Sequence, residues 1–202
     1  MNNKNKPDRR TNRTKRQLGK ALIELIQEKR FDDITVQNVI DRADVGRSTF
    51  YSHFRDKEDL FQQNWEAFLD LFALHIDWDK AGDGSFIPAE HLFSHLADVQ
   101  PFYKSLLRSR KTDWVFKAGV THLSQKMEAA LNERLNRVNE QPTSSVPAAI
   151  LATFLSNELF NLLKWWLDHQ MPYSPKQMDH FYHQLITPSV VAFFGKVEPA
   201  TD

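Results

Sequence analysis

The chain has 202 residues, and its 26 Lys+Arg balance 26 Asp+Glu, so the formal net charge is zero. The absence of cysteine excludes disulfides, thiolate metal sites, Fe–S clusters and cysteine nucleophiles. Apolar residues make up 41%, with 15 Phe and 5 Trp, enough for a sizeable core, and six glycines argue against a glycine-rich nucleotide-binding fold.

The opening MNNKNKPDRRTNRTKRQ is polar and basic and lacks the apolar region of a signal peptide. The longest nearly apolar stretch, 147–155, is about half of a bilayer span. The expectation is a soluble, cytoplasmic protein with no membrane partner. Zero net charge hides an asymmetry: residues 1–57 carry 14 Lys/Arg against 8 Asp/Glu, and residues 58–202 carry 12 against 18. A basic head on an acidic body suits a head that meets a polyanion.

Strand signals are nearly absent, and helical periodicity runs throughout. Leu18, Leu22 and Leu25/Ile26 give residues 12–29 one apolar stripe, with Thr11 or Thr14 as N-cap. Thr35 caps a short helix with Val36, Val39 and Ile40 inward. Asp44-Val45-Gly46 is a turn in which Asp44 or Gly46 takes the left-handed conformation, and Ser48 to Phe54 forms a second short helix. Asp56, with Asp59 three residues on, caps a long helix from Lys57 to about Trp78, apolar over more than one stripe and so buried on most sides. Further helices are expected at about 88–99, 101–109, 112–138, 147–169 and 174–194, the last capped by Ser174 and ended by Gly195. Pro188 should kink that last helix. The sum is an all-α chain of about nine helices.

The most specific signal lies at 35–54. A helix-turn-helix needs apolar residues that lock two short helices and a turn that tolerates positive φ. Val36, Val39, Ile40, Val45, Phe50 and Phe54 supply the lock. The outward face carries Arg47, Ser48, Thr49, Tyr51, Ser52 and Arg55, with His53 at its edge and no acidic residue, a set suited to phosphates and base edges.

The run Ile34-Thr35-Val36 … Ala43-Asp44-Val45-Gly46-Arg47-Ser48-Thr49-Phe50-Tyr51-Ser52-His53-Phe54-Arg55-Asp56-Lys57-Glu58-Asp59-Leu60 resembles the DNA-binding signature of the TetR family of transcriptional regulators (TetR/AcrR type). It departs at Asp44, where glycine is commonest, and at Gly46, where a small polar residue is usual. Gln100-Pro101-Phe102-Tyr103 and Trp165-Trp166-Leu167 … Met171-Pro172-Tyr173 resemble a C-terminal type seen in Firmicutes. The resemblance implies a basic disordered arm at 1–10, a DNA-binding domain at 11–71 (helix-turn-helix about 34–53) and a regulatory and dimerisation domain at 72–196. It implies a homodimer that binds a palindromic operator in double-stranded DNA, usually as a repressor, and responds to a small-molecule effector, here a largely apolar one. Thr35, Arg47, Ser48, Thr49, Tyr51, His53 and Lys57 match its DNA-contacting positions, with Lys57 as a phosphate clamp. Arm cations from Lys4 to Arg16 would add backbone or minor-groove contacts. A second reading keeps the fold but makes the chain a coactivator, a protein-interaction module working through a partner.

In the body, polar groups set among apolar helices mark a candidate effector pocket: Trp65, Phe68, Phe72, His75, Trp114, Asn157, Asn161 and Trp165. Phe181, Tyr182, Leu185 and Ser189 give the last helix a stripe for the dimer face. His91/His95 and His180/His183 have chelating spacing, but no third ligand accompanies either pair. No nucleophile elbow, P-loop or paired-carboxylate motif appears, so neither a metal, a cofactor nor an enzymatic activity is expected.

Overall fold

The computed structural model describes residues 9–80, 86–98, 112–138 and 142–195. Among them are eight α-helices and no strand: α1 Arg9–Glu28, α2 Val36–Ala43, α3 Arg47–Tyr51, α4 Lys57–Ala73, α5 Ala89–Asp98, α6 Thr112–Val138, α7 Ala148–Asp168 and α8 Pro175–Phe194. The all-α expectation holds. The helix expected at 101–109, the arm before residue 9 and the residue-99 end of the fifth expected helix lie outside the described residues. The described chain divides into a unit of residues 9–65 and 112–113 and a second unit of residues 66–80, 86–98, 114–138 and 142–195, so α4 and the start of α6 are shared between them.

The first unit is built on α1. Its Leu18, Ala21, Leu22, Leu25 and Ile26 are buried, and Val39 and Ile40 of α2, Phe50 of α3, and Leu60 and Phe61 of α4 join the same core. Each such side chain contributes about 1.5–3 kcal/mol through burial. Thr11 and Thr14 are not caps: both lie inside α1, which already runs from Arg9. Arg42 of α2 makes a two-pronged bond to Glu28 of α1, at 2.9 and 2.7 Å, with Glu24 at 3.5 Å. The hydrogen bonds from Arg42 hold the Glu28 carboxyl below its ordinary pKa.

In the second unit, α5, α6, α7 and α8 bury Leu92, Phe93, Leu123, Met127, Leu131, Leu155, Leu159, Trp166, Ile186 and Val190. Cross-links have polar and aromatic parts. Phe93 of α5 meets Trp166 of α7 edge-on at 5.3 Å, and the Glu90 N–H at the start of α5 donates to Asp179 of α8 at 2.9 Å. The Tyr182 hydroxyl donates to the Leu155 carbonyl at 2.9 Å. Asp70 of α4 bonds both His122 (2.8 Å) and Lys126 (2.9 Å) of α6. Burial raises the Asp70 carboxyl, but the Lys126 and His122 bonds outweigh it and leave its pKa below the usual value.

Two expectations for α4 fail. The helix stops at Ala73 rather than Trp78, because the Asp77 carboxylate takes the Asp79 N–H (3.1 Å) and starts a separate 3-10 turn, Trp78–Lys80. The Asp77 N–H in turn donates to the Phe86 carbonyl at 2.8 Å, which leaves α4 no continuation. Nor is α4 covered on most sides: its Leu71 is 61% exposed, and Leu74, just past its end, is 78% exposed. α8 continues through Pro188 to Phe194 and ends at Gly195, where φ is 83°. No helix among the described residues is long and apolar enough to cross a membrane.

Candidate nucleic-acid interface

Three chain reversals place the polar face of the first unit. The first is the entry to α2, where Thr35 and Asn38 cap each other. The Asn38 N–H donates to Thr35 Oγ1 at 3.2 Å, and the Thr35 N–H donates to Asn38 Oδ1 at 3.0 Å. Lys29 also donates to Asn38 Oδ1, at 2.6 Å. Thr35 is exposed and keeps its hydroxyl hydrogen to give.

The second reversal is the turn. Of the two candidates for positive φ, Asp44 takes it, at φ 51° and ψ 52°, while Gly46 is extended at φ −67° and ψ 148°. A short polar side chain tolerates the left-handed region better than most. The Asp44 and Val45 N–H groups close α2 onto the Asp41 and Ile40 carbonyls, and Gly46 is left to start α3.

α3 is shorter than expected, Arg47–Tyr51, with Ser52 as its C-cap. Phe50 is fully buried, and Phe54 behind it is 3% exposed. Arg47, Ser48, Tyr51 and Ser52 are exposed, Thr49 and His53 half-buried. The Arg47 guanidinium lies 5.8 Å from the Tyr51 ring centroid, and Tyr51 is 49% exposed, so the two form one outward unit. The third reversal caps α4: Asp56 Oδ1 accepts the Asp59 N–H at 2.7 Å, and Asp59 Oδ2 accepts the Arg55 N–H at 2.9 Å. Burial raises the Asp59 carboxyl, but bonds from the Arg55 N–H, Gln63 and the Arg55 side chain together hold its pKa low.

Lys57 departs from the outward geometry of a phosphate clamp. Its ammonium faces the carbonyls of Phe31, Asp32 and Ile34 at 2.7, 3.2 and 2.6 Å, and lies 4.8 Å from the Phe31 ring centroid. On α1, Arg13, Arg16 and Lys20 line a hollow of about 420 Å³ with Asn12 and Gln17. Lys4 and Lys6 of the arm lie outside the described residues.

The proposed pocket residues differ in exposure. Trp65, in the first unit, is 8% exposed. Asn161 is exposed and Trp165 is 41% exposed, stacked on His169 at 4.4 Å and on Tyr173 at 6.3 Å. The Asn157 amide is turned back to the Thr153 carbonyl of its own helix at 2.8 Å. Trp114, at the start of α6, is half-buried. Phe68 and Phe72 share one face of α4, and His75 lies in the turn that follows it. Phe68 stacks on His95 of α5 at 4.3 Å, and the His75 ring lies 6.4 Å from that of His91. Burial holds the His95 pKa low.

The dimer stripe divides too. Tyr182 is fully buried, its hydroxyl bonded inside the unit, so it is core. Leu185 is 64% exposed, with Phe181 and Ser189 half-buried. Sequence reasoning missed Ile150 and Phe154 of α7, 58% and 40% exposed, which lie i, i+4 on the face that carries Asn161 and Trp165. Their signal was present: the face repeats at 150, 154, 161 and 165 in a helix apolar almost all round.

The chain matches the profile described as "Bacterial regulatory proteins, tetR family" over residues 19–63, and that described as "Transcriptional regulator C-terminal region", of TetR type, over residues 88–188. It is 38% identical over 56 residues to the uncharacterized HTH-type transcriptional regulator YxbF of Bacillus subtilis (strain 168); that match spans 27% of this chain and only 15% of the relative's length. A TetR transcriptional regulator from Streptococcus agalactiae 2603V is 29% identical, with a TM-score of 0.53 over 89% of this chain and 96% of that one. The dihydroxyacetone kinase operon activator DhaS shares the fold, with a TM-score of 0.65 at 14% identity over 90% and 98% of the two chains. An outward helix between two capped reversals, together with both profiles, settles the family: the chain belongs to the TetR family of bacterial transcriptional regulators, DNA-binding proteins rather than enzymes.

Proposed function

We propose that the chain is a homodimeric repressor that reads a palindromic operator with α3 in the major groove and releases it when an effector binds the body. The carrying observation is the polarity of α3: Phe50 faces the core, and Arg47, Ser48, Thr49 and Tyr51 face outward with no carboxylate among them. Arg47 and Thr49 are the base readers in this reading. Thr35 donates to a phosphate at the α2 entry, with Ser48, Tyr51 and His53 beside the backbone. Recognition is tested by a gel shift on the DNA upstream of the chain's own gene. Arg47→Ala is expected to lose affinity and relax preference at one position of each half-site. Equal affinity of Arg47→Ala for operator and scrambled DNA, alongside equal affinity of the wild type, would sink the reading.

For the dimer, exposed Ile150, Phe154 and Trp165 of α7 and Leu185 of α8 support a face that a second copy covers, as large exposed apolar side chains mark interaction surfaces. For the effector, the stacked Phe68–His95 pair and the neighbouring His75 and His91 rings support a largely apolar molecule with one polar group near α4 and α5. Repression rather than activation is the family's commoner mode; DhaS, which shares the fold, is an activator by name, so the sign is read from a reporter with the gene deleted.

A further inference from the structure

We infer that Gly19 of α1 and Asn64 of α4 are a matched notch and knob that positions the DNA reader: their fit fixes how closely α4 crosses α1, and through α4 it fixes the segment that ends α3. The inference rests on the DNA-binding reading above. Gly19 is buried in the interior of α1, a place where only proline is a poorer helix former. What it provides there is space. The Asn64 amide lies across it: a Cβ on Gly19 would overlap Asn64 Oδ1 and stand 2.9 Å from both Cγ and Nδ2. Any larger residue at position 19 therefore displaces the amide or the helix that carries it. The amide is also held from behind, since Asn64 Nδ2 donates to the carbonyl of fully buried Leu60 at 2.7 Å.

A line of hydrogen bonds carries this crossing to the reader. One turn of α1 before Gly19, Lys15 donates to Gln63 Oε1 at 3.2 Å. Gln63, next to Asn64 in the chain, donates to Asp59 Oδ1 at 3.2 Å, and Asp59 Oδ2 accepts the Arg55 N–H at 2.9 Å. Arg55 follows Phe54, which is 3% exposed and whose ring centroid lies 5.5 Å from the Lys15 ammonium. The line thus runs from α1 through α4 to the chain that leaves α3. Its first bond sits at the long end of the N–H···O range, so a small outward step of α4 breaks it. α3 has Phe50 as its single buried side chain, and the placement of Arg47 and Thr49 depends on the segments that flank it. A binding constellation tolerates misplacement of only about 0.5 Å.

The test uses full-length protein with Gly19→Ala, Asn64→Ala and the Gly19→Ala/Asn64→Ala pair. Should Gly19→Ala fail to fold by circular dichroism, Asn64→Gln takes its place, a knob one methylene longer against the unchanged notch. Gly19→Ala is expected to lower operator affinity about tenfold, the scale of one recognition contact put out of reach. Its melting temperature should not fall, since alanine is the better helix former, and the slope of log affinity against log salt should not change, since no cation is removed. In the DNA-free protein, amide exchange over residues 55–59 is expected to rise about tenfold. The pair, which trims the knob to suit the filled notch, is expected to return both affinity and exchange to within about twofold of the wild type, the non-additivity that contacting residues show. Wild-type affinity in Gly19→Ala would mean that the amide swings aside at no cost, and it overturns the inference, as do additive losses in the pair. Should the wild type bind no DNA, the failure lies with the DNA-binding reading, and the exchange measurement still decides whether the notch sets α4.

Discussion

The head and the body are held by different means. In residues 9–65, short helices are set by reversals: a mutual Thr35–Asn38 cap, a left-handed Asp44, an Asp56 cap and the Lys57 seat. In the second unit, long helices are set by faces of apolar side chains, with polar bonds such as Tyr182 to Leu155, Asp70 to His122 and Glu90 to Asp179 tying them across. Caps and turns place individual side chains to a fraction of an ångström and leave a polar surface pointing outward. Packed faces fill volume, and they present whatever surface is left over to a partner or a ligand.

The comparison breaks most sharply at Phe50, since it is the one buried side chain of α3. Phe50→Ala is expected to cost about 3–5 kcal/mol, abolish operator binding and leave the second unit's helicity largely intact by circular dichroism. Unchanged binding would mean that α3 is not held by the core.

Next comes the leftover surface of the body. Leu185→Asp and Phe154→Asp place charges on residues 64% and 40% exposed in one chain, so a monomer should fold with either. By light scattering each is expected to turn a dimer into monomer and to lose affinity for a two-half-site operator, whose half-sites a dimer would space about 34–36 Å apart or a multiple of it. Dimers that persist in both variants remove this face from the assembly.

A third effect is local to the reader. Thr49→Ala is expected to relax discrimination at one operator position by about 1–3 kcal/mol, without shifting the melting temperature. The matching change in the body, Tyr182→Phe, should do the reverse. It removes a buried bond worth about 1 kcal/mol, lowers the melting temperature by a few degrees and leaves operator preference alone.

The smallest effect is pH dependence in the body. Burial raises the Asp79 carboxyl, but the Arg137 and Arg134 bonds outweigh it, so Asp79, like Asp70, has a folded pKa below its unfolded one. Each contributes stability that is present above the unfolded carboxylate value, about 3.9, and is lost as pH falls through the folded value. Acid titration of melting temperature should therefore show a decline below about pH 4 that flattens in Asp70→Asn. An unchanged acid limb in that variant would show that the Asp70 cluster carries no net stability.

Legibility followed the same division. Thr35, Asp56 and Ser174 were readable as caps because the cap chemistry is written within four residues, and the helix-turn-helix was readable because Phe50 and Phe54 sit one turn apart. The carbonyl partners of Lys57 were not readable, because Phe31, Asp32 and Ile34 lie more than 20 residues upstream, at a 3-10 turn that no local pattern announces. The end of α4 was missed for a similar reason: the Asp77 N–H answers to the Phe86 carbonyl across the chain, while the local sequence stays apolar through Trp78. Tyr182 and Leu185, three residues apart, look equivalent on a helical wheel, yet one is fully buried and the other is 64% exposed. Only the packing of α7 against α8 distinguishes them.

α3 has five residues and a single inward side chain, Phe50. Its neighbours Arg47, Ser48 and Tyr51 are exposed and Thr49 is half-buried, so exchanges there leave Phe50 as the buried anchor of the helix. If Arg47 and Thr49 read bases as proposed, gene duplicates could drift to new operators by changing those two positions while folding as before, because few mutations would be purged for instability before they were tried for recognition. The same decoupling makes α3 a site for re-programming: a library confined to positions 47, 48, 49 and 51 should yield mostly folded variants, and selection would then sort them by DNA sequence alone.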